Sequence, residues 1–160
     1  MPWVAEVPSV LQAWFLGSEA GSSIAAILMG DVNPSGRLPF TFPARLEDVP
    51  AHSVGEYFAD RSKKVVDMKY NEGIFVGYRW TDKQKKVKPL FPFGHGLSYT
   101  TFVYSRPIAD KKIISVNDEI NFTVTVKNTG EREGHEVVQL YIGDKKSSLP
   151  RPVKELKGFK

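Results

Sequence analysis

A run of strict alternation in the last third of the chain is the feature that most constrains its fold. In the segment 120–126, apolar side chains alternate with polar ones: Ile120, Phe122, Val124 and Val126 against Asn121, Thr123 and Thr125. Such alternation predicts a strand with one buried face, and a slip of one residue would exchange core for solvent. The segments 102–104 and 136–142 show a similar β pattern, and turn residues fill 128–130. Residues 101–160 are therefore predicted to form an antiparallel β-sandwich.

This second region resembles the beginning of a fibronectin type III-like domain. A sandwich of that class has about seven strands over about 100 residues. Only about 60 of the 160 residues follow Thr100. The predicted sandwich is therefore truncated, and we expect it to be incomplete.

A different pattern precedes this β-rich region. The apolar run Val10–Leu16, between Pro8 and Gly17, predicts a strand covered on both faces, as in a parallel sheet. The following segment predicts a helix from its apolar spacing, with Ser18 as its cap and Gly30 ending it in the left-handed conformation.

Further strands are predicted at 38–42 and 74–80, separated by a long irregular region that reaches about residue 70. Together these elements predict α/β followed by all-β structure, with 1–100 as the tail of an α/β/α layered domain.

Two motifs rich in Gly, Pro and aromatic residues carry a family resemblance. They are Gly30–Pro43 (GDVNPSGRLPFTFP) and Phe91–Thr100 (FPFGHGLSYT), and their composition predicts ordered loops of fixed shape. The chain resembles the C-terminal region of the family 3 glycoside hydrolases, the β-glucosidases and their relatives, over its whole length. The resemblance implies a retaining enzyme that hydrolyses terminal β-glucosyl or related residues. The start Met1-Pro2-Trp3-Val4 resembles an internal stretch of the family, so we expect a truncated or misassigned start.

The resemblance also implies where the reacting groups lie. Retaining hydrolysis uses two carboxyl groups about 5–5.5 Å apart. In the family, the nucleophilic Asp is on an N-terminal barrel domain, and the acid/base Glu lies upstream of the Gly30–Pro43 motif. Neither segment is matched here, so we assign no catalytic residue and expect the chain alone to be inactive. Arg37, Tyr78 and Arg79 are expected to support stability rather than chemistry.

Two carboxylates within the chain are candidates for catalysis. Glu72 stands in an aromatic context before a predicted strand, where desolvation would favour acid/base use by raising its pKa. The alternative, which we favour, is an ion pair with a base such as Arg79 that fixes the loop. Glu19 is explained by its place in the first turn of the predicted helix.

The histidines give no cofactor or metal site. His95, between Gly94 and Gly96, is expected to bond within its own loop, although an exposed imidazole there would also suit binding. His52 and His135 have no ligand partner at metal-binding spacing, and the chain has no cysteine. We therefore predict no cofactor and no metal.

Charge is spread unevenly, from a net −5 in residues 1–60 to +9 in residues 61–160. The lysines at 63, 64, 83, 85, 86 and 88 lie in loops without interleaved stacking aromatics, so a solvated basic surface is favoured over nucleic-acid binding. No apolar run approaches the roughly 20 residues of a membrane span. The sequence does not decide the cellular compartment, because a chain without cysteine suits several compartments.

Three functions fit these observations. The first is a C-terminal fragment with a scaffolding role in the enzyme, whose glycoside substrate binds only in the full context. The second is a non-catalytic carbohydrate-binding or adhesion module that uses exposed aromatic rings, with Trp3, Trp14, Trp80 and Tyr141 as candidates. The third is an assembly subunit completed by the missing N-terminal polypeptide.

Overall fold

The computed structural model describes residues 1–54, 62 and 69–160. Its helices are α1 (Ala20–Met29), α2 (Pro50–Ser53) and α3 (Tyr78–Lys83), and 3-10 turns occupy Pro2–Glu6, Gly17–Glu19 and Leu46–Asp48. Its strands are β1 (Phe102–Tyr104), β2 (Ile108–Ala109), β3 (Phe122–Thr123), β4 (Val126–Asn128), β5 (Gln139–Ile142) and β6 (Glu155–Phe159). None of the helices in these ranges is long and apolar enough to cross a bilayer.

The chain divides into two compact units. The first unit contains residues 1–12, 36–96 and 137–160, and the second contains residues 13–35 and 97–136. Each unit therefore takes segments from both sides of residue 100. A boundary between two sequence domains at that residue stays a prediction.

In the second unit, the predicted helix is confirmed as α1. Gly30 ends it with a φ of 82°, and its N–H donates to Ile27 O at 3.0 Å. A left-handed residue at this place suits glycine, which carries no Cβ. The predicted cap is wrong: the chain enters α1 through the 3-10 turn Gly17–Glu19, so Ser18 lies inside that turn and Glu19 is the N-cap.

The predicted buried strand Val10–Leu16 is also wrong. These residues have no regular secondary structure, and Phe15 is 102% exposed. Trp14 has a φ of 54°. A doubly covered strand requires neighbours on both sides for its backbone hydrogen bonds, and no strand of the described residues pairs with this run. Its apolar pattern is therefore present without the sheet that would bury it.

Asn33 connects the two Gly/Pro motifs within the second unit. Its Oδ1 accepts hydrogen bonds from Ser98 Oγ at 2.9 Å and from Tyr99 N at 2.8 Å. Its Nδ2 donates to Glu133 O at 2.8 Å. One amide side chain thus joins three segments far apart in sequence, which confirms the motifs as ordered loops.

The β pattern after residue 100 is confirmed, in short strands. In the second unit, β1 pairs antiparallel with β4, and β2 pairs antiparallel with β3. Ile120, Val124 and Val126 are partly buried, whereas Phe122 on the same predicted face is 40% exposed. The alternation therefore sets the register, but the strands are too short to cover the whole face.

In the first unit, the two motifs pair through their backbones. Leu38 N donates to His95 O at 2.9 Å, and Phe42 N donates to Phe91 O at 2.8 Å. The strand predicted at 38–42 is thus reduced to a single bridge between Phe42 and Phe91. Of the irregular region predicted up to residue 70, the described part includes a 3-10 turn and α2, and 55–61 and 63–68 lie outside the described residues.

The strand predicted at 74–80 is wrong, because helix α3 begins within it. Gly77 has a φ of 61°, which breaks an extended run, and it is the N-cap of α3. Trp80 on this helix is 6% exposed, and its Nε1 donates to Asp48 O at 3.2 Å. The helix therefore lets the Trp80 ring be buried while its N–H keeps a hydrogen-bond partner, which favours the helix over the predicted strand.

Helix α3 is also tied to the last strand pair of the first unit. β5 and β6 are antiparallel, with a bulge between Leu140 and Tyr141. Arg79 Nη2 lies 3.0 Å from Glu155 Oε1 in β6. One ion pair and the β5–β6 ladder thus order this end of the chain.

Much apolar surface is left uncovered. The accessible surface is 13065 Å², whereas a folded monomer of this mass is expected to expose about 8,000 Å². Trp80 is the only large apolar side chain that is buried in the described ranges. The apolar cluster predicted around the second motif is only partly formed, since Leu97 is 78% and Tyr99 44% exposed.

Candidate functional site

A cavity in the first unit is a concave site formed by the described residues. Its volume is about 410 Å³, within the range of about 300–1,000 Å³ that is typical of small-molecule sites. Helix α3, the loop before the second motif and the β5–β6 pair supply its walls. The lining residues are Thr41, Tyr78, Thr81, Asp82, Gln84, Lys85, Val87, Pro89, Pro92, Phe93, Tyr141 and Lys154.

Aromatic rings form one wall of this cavity. The Tyr78 ring stacks on Phe93 with centroids 4.9 Å apart and contacts the Tyr141 ring edge-on at 5.8 Å. The Tyr78 hydroxyl accepts a hydrogen bond from Leu156 N at 2.8 Å. Because one backbone bond and two ring contacts hold Tyr78, this wall is fixed in place.

Helical spacing brings the acidic group into the same wall. Tyr78 and Asp82 are four residues apart on α3, so they lie on one face of the helix. Lys154 Nζ lies 3.7 Å from Asp82 Oδ2 and 5.1 Å from the Tyr141 ring centroid. At 3.7 Å the charges balance, but the separation is longer than a hydrogen bond.

Two buried oxygens that line the cavity have no hydrogen-bond partner among the described residues. They are Asp82 Oδ2 and Thr41 Oγ1. A buried polar atom without a partner costs about 1–3 kcal/mol relative to a satisfied one. Both oxygens belong to residues of the cavity wall but are buried within it, so neither is open to a molecule in the cavity.

Tyr141 remains a protonated phenol in this wall. Burial raises its pKa above the ordinary value of 10.0, and the neighbouring Tyr78 and Asp82 raise it further. Its hydroxyl donates to Gln139 Oε1 at 2.7 Å, and Gln139 Nε2 donates to Gly94 O at 3.3 Å. Tyr141 thus connects the cavity to the second motif.

Glu72 does not line this cavity. It is 9% exposed, and its Oε2 has no hydrogen-bond partner among the described residues. The predicted pair with Arg79 is wrong, because α3 begins at Tyr78 and directs Arg79 to Glu155. Neither candidate role of Glu72 therefore has a supporting contact.

The other carboxylate and the histidines lie in local structure. Glu19 is the N-cap of α1, just before the predicted first-turn position, and its carboxylate accepts a hydrogen bond from Ser22 Oγ at 2.8 Å. The His95 ring stacks on Phe91 with centroids 5.4 Å apart, which supports a role within its loop. No group of three or more metal-ligating side chains forms in the described parts of the chain. That catalytic, cofactor and metal residues are absent stays a prediction.

The aromatic residues proposed as a flat binding surface do not share one. Trp80 is buried and Tyr141 is partly buried, whereas Trp3 is 47% and Trp14 50% exposed. The cavity itself was missed from the sequence because Thr41, Asp82 and Lys154 come from three distant segments. The available signal was the i, i+4 pair Tyr78 and Asp82, which the strand predicted at 74–80 concealed.

Comparison with known proteins assigns the chain to a family. Residues 1–78 match the model of the glycosyl hydrolase family 3 C-terminal domain. Residues 136–160 match that of the fibronectin type III-like domain. The chain therefore belongs to the C-terminal region of the family 3 glycoside hydrolases. The predicted fold class, α/β followed by a fibronectin type III-like β region, is confirmed by both matches.

Similar proteins agree with this assignment. Beta-glucosidase BoGH3A of Bacteroides ovatus is 52% identical over all of this chain, which spans 21% of that protein. Thermostable beta-glucosidase B of Acetivibrio thermocellus is 51% identical over 99% of this chain, which spans 20% of that protein. The crystal structure of DesR, a beta-glucosidase from Streptomyces venezuelae in complex with D-glucose, matches with a TM-score of 0.84 and 43% identity over 100% of this chain and 20% of that one. The chain spans about a fifth of the length of the relatives it matches.

Proposed function

We propose that this chain is the C-terminal scaffold of a retaining, β-glucosidase-like enzyme and that it does not hydrolyse glycosides alone. The observation that carries the proposal is the relation between two lengths. The likeness to Beta-glucosidase BoGH3A covers the whole of this chain, but the chain spans only 21% of that protein. The remaining four-fifths of such an enzyme would carry the two reacting carboxyl groups.

The carboxylates of the described residues agree with this division of labour. A retaining glycosidase uses two carboxyl groups about 5–5.5 Å apart on either side of the scissile bond. Of the residues that line the cavity, Asp82 alone carries a carboxyl group. Glu72, the most buried glutamate of the described residues, does not line it. A single carboxylate does not complete the double displacement.

The scaffold has an uncovered surface for the polypeptide that would carry the chemistry. Segment 10–16 has the composition of a buried strand but is exposed, with Leu11 at 40% and Phe15 at 102%. Fully burying a large apolar side chain stabilises by about 1.5–3 kcal/mol. We infer that this segment is the docking strand for the upstream part of the enzyme.

Complementation tests the proposal. The chain is co-expressed with the part of Beta-glucosidase BoGH3A that precedes the matched region, and hydrolysis of an aryl β-glucoside is measured. We expect activity only when both pieces are present, because the upstream piece carries the carboxyls and this chain completes its fold. No activity in a co-purified complex of the two pieces would contradict the proposal.

A matched pair of variants tests the docking strand. Phe15→Asp places a charge in segment 10–16, whereas Val116→Asp places one at a side chain that is also fully exposed, at 101%. Phe15→Asp should abolish complementation, because a charge would be buried without a partner. Val116→Asp should leave it intact, and equal loss in both variants would refute the assignment of the strand.

A further inference from the structure

We propose that the cavity lined by Tyr78, Tyr141 and Lys154 binds a small organic anion that carries an aromatic ring, such as an aryl carboxylate. All the residues that line the cavity belong to the first unit. Binding there is therefore independent of the scaffold function proposed above, and either can fail without the other. Two features of the wall define the ligand: an excess of cationic side chains and a surface made of rings.

Cationic side chains outnumber carboxylates in the wall of the cavity. Lys85 and Lys154 line it, whereas Asp82 is the only carboxylate that does so. Lys154 Nζ lies 3.7 Å from Asp82 Oδ2, and that oxygen is buried within the wall. Because Lys154 compensates the charge of Asp82, Lys85 leaves the wall with an excess of positive charge.

The segment at the end of α3 strengthens this positive field. Lys83 ends the helix, and Lys86 and Lys88 follow Lys85 in the next turn of chain. All four of these side chains are exposed, and residues 83–88 include no carboxylate. Like charges clustered around a concave site attract ions of the opposite sign and raise their local concentration. An anion is therefore drawn towards the cavity, and a cation is repelled from it.

The two lysines that line the cavity can hold a carboxylate. Each ammonium group has three N–H donors and no acceptor. The contact between Lys154 and Asp82 is longer than a hydrogen bond, and the Lys154 side chain is 47% exposed, so its donors can reach a ligand. No salt bridge among the described residues includes Lys85. A carboxylate in the cavity would therefore gain charge-assisted hydrogen bonds.

The rest of the wall favours an anion with a flat apolar body. Its apolar surface comes from three rings and three aliphatic side chains: Tyr78, Phe93, Tyr141, Val87, Pro89 and Pro92. The Tyr78 ring is stacked on Phe93, and its hydroxyl accepts from Leu156 N, so this surface is ordered before a ligand arrives. An inorganic anion would leave the apolar surface in water, whereas an aromatic ring would cover it.

Titration of the 160-residue chain with benzoate tests the inference. Amide and tyrosine ring resonances are followed by NMR at low ionic strength, and we expect saturable shifts at Tyr78, Tyr141 and Leu156. Benzamide keeps the ring without the charge, and acetate keeps the charge without the ring; each should bind about tenfold more weakly. Cyclohexanecarboxylate, which keeps charge and size but is not flat, should bind about threefold more weakly.

Three results of this titration would overturn the inference. Benzamide that binds as tightly as benzoate would remove the role of the lysines. Acetate or cyclohexanecarboxylate that binds equally well would remove the role of the rings. Shifts that rise linearly with benzoate concentration would show that no site is being filled.

Matched variants locate the site. Lys85→Gln should raise the dissociation constant of benzoate about threefold, whereas Lys112→Gln, which removes the same charge from an exposed position in the second unit, should leave it unchanged. Tyr141→Leu removes a ring and should raise it about fivefold, and Tyr141→Phe should preserve it. Equal effects of the two lysine variants would refute the proposal. Unchanged affinity in both Lys85→Gln and Tyr141→Leu, with amide spectra that confirm their fold, would also refute it.

Discussion

Substitution of Gly94 gives the sharpest test of how the second motif is held. Its φ is 77°, and an added Cβ would lie 2.7 Å from Gln139 Nε2. The Gln139 side chain must then move, which breaks its bond to Gly94 O and the bond that its Oε1 accepts from Tyr141. Gly94→Ala is therefore expected to cost both backbone strain and two hydrogen bonds.

The magnitude follows from these parts. A left-handed alanine costs about 1 kcal/mol, and each lost hydrogen bond costs about 1 kcal/mol. The sum for Gly94→Ala is about 3 kcal/mol by these two principles. Gly73 is the matched control, since its φ is 58° and an added Cβ meets no atom within 4 Å. Gly73→Ala should cost only the strain, so the two variants should differ by about 2 kcal/mol.

Native-state hydrogen exchange measures this difference locally. The Gly94 N–H donates to Leu38 O at 2.8 Å, and the Leu38 N–H donates to His95 O at 2.9 Å. Both amides should exchange about 30-fold faster in Gly94→Ala than in Gly73→Ala. In a Gln139→Ala background the extra cost of Gly94→Ala should vanish. Equal protection in the two glycine variants, or an unchanged cost without Gln139, would refute the reasoning.

Three further predictions follow from burial and charge. Trp80→Ala should destabilise α3 by about 3–5 kcal/mol, which hydrogen exchange of the α3 amides would measure. Trp14→Ala, at a side chain that is 50% exposed, should cost far less. Equal costs for the two variants would contradict the assignment of Trp80 to the core. The pKa of Asp110 is lowered because the Asn121 side chain and backbone amide donate hydrogen bonds to its carboxylate. The ionised carboxylate therefore stabilises the folded state above the unfolded pKa of about 3.9. This stabilisation is lost as the pH falls through the folded pKa. Protection of the Asn121 amide should fall accordingly, and a pH dependence that survives Asp110→Asn would oppose this. The uncovered apolar surface should bind an anilinonaphthalene dye and give a broad thermal transition; a sharp two-state melt without dye binding would count against it.

Local sequence signals predicted the parts of the fold that depend on local contacts. Helix α1 and its Gly30 end follow from apolar spacing and a left-handed glycine, and both are confirmed. The alternation at 120–126 likewise gave the β pattern of the second region. The helix needs only neighbours a few residues away, whereas the strands also need partners farther along the chain, such as Asn128 for Phe102. The alternation therefore predicted where strands form but not how they pair.

The errors arise where distant contacts decide. Segment 10–16 has the pattern of a buried strand, but a strand forms only where partners bond its backbone. Segment 74–80 has a strand-like composition, but Gly77 and the buried Trp80 turn it into a helix. The cavity could not be predicted because Thr41, Asp82 and Lys154 meet only in three dimensions. Asn33 was recognised within its motif, but its partner Glu133 is 100 residues away.

Hydrolysis by the purified chain is the most direct test of the central claim, that the reacting carboxyl groups belong to polypeptide outside these 160 residues. The chain is produced in a host without β-glucosidase activity and is incubated with an aryl β-glucoside. We predict no release of the aryl alcohol above the uncatalysed rate. Turnover that co-purifies with the chain and is lost in Glu72→Gln or Asp82→Asn would contradict the claim.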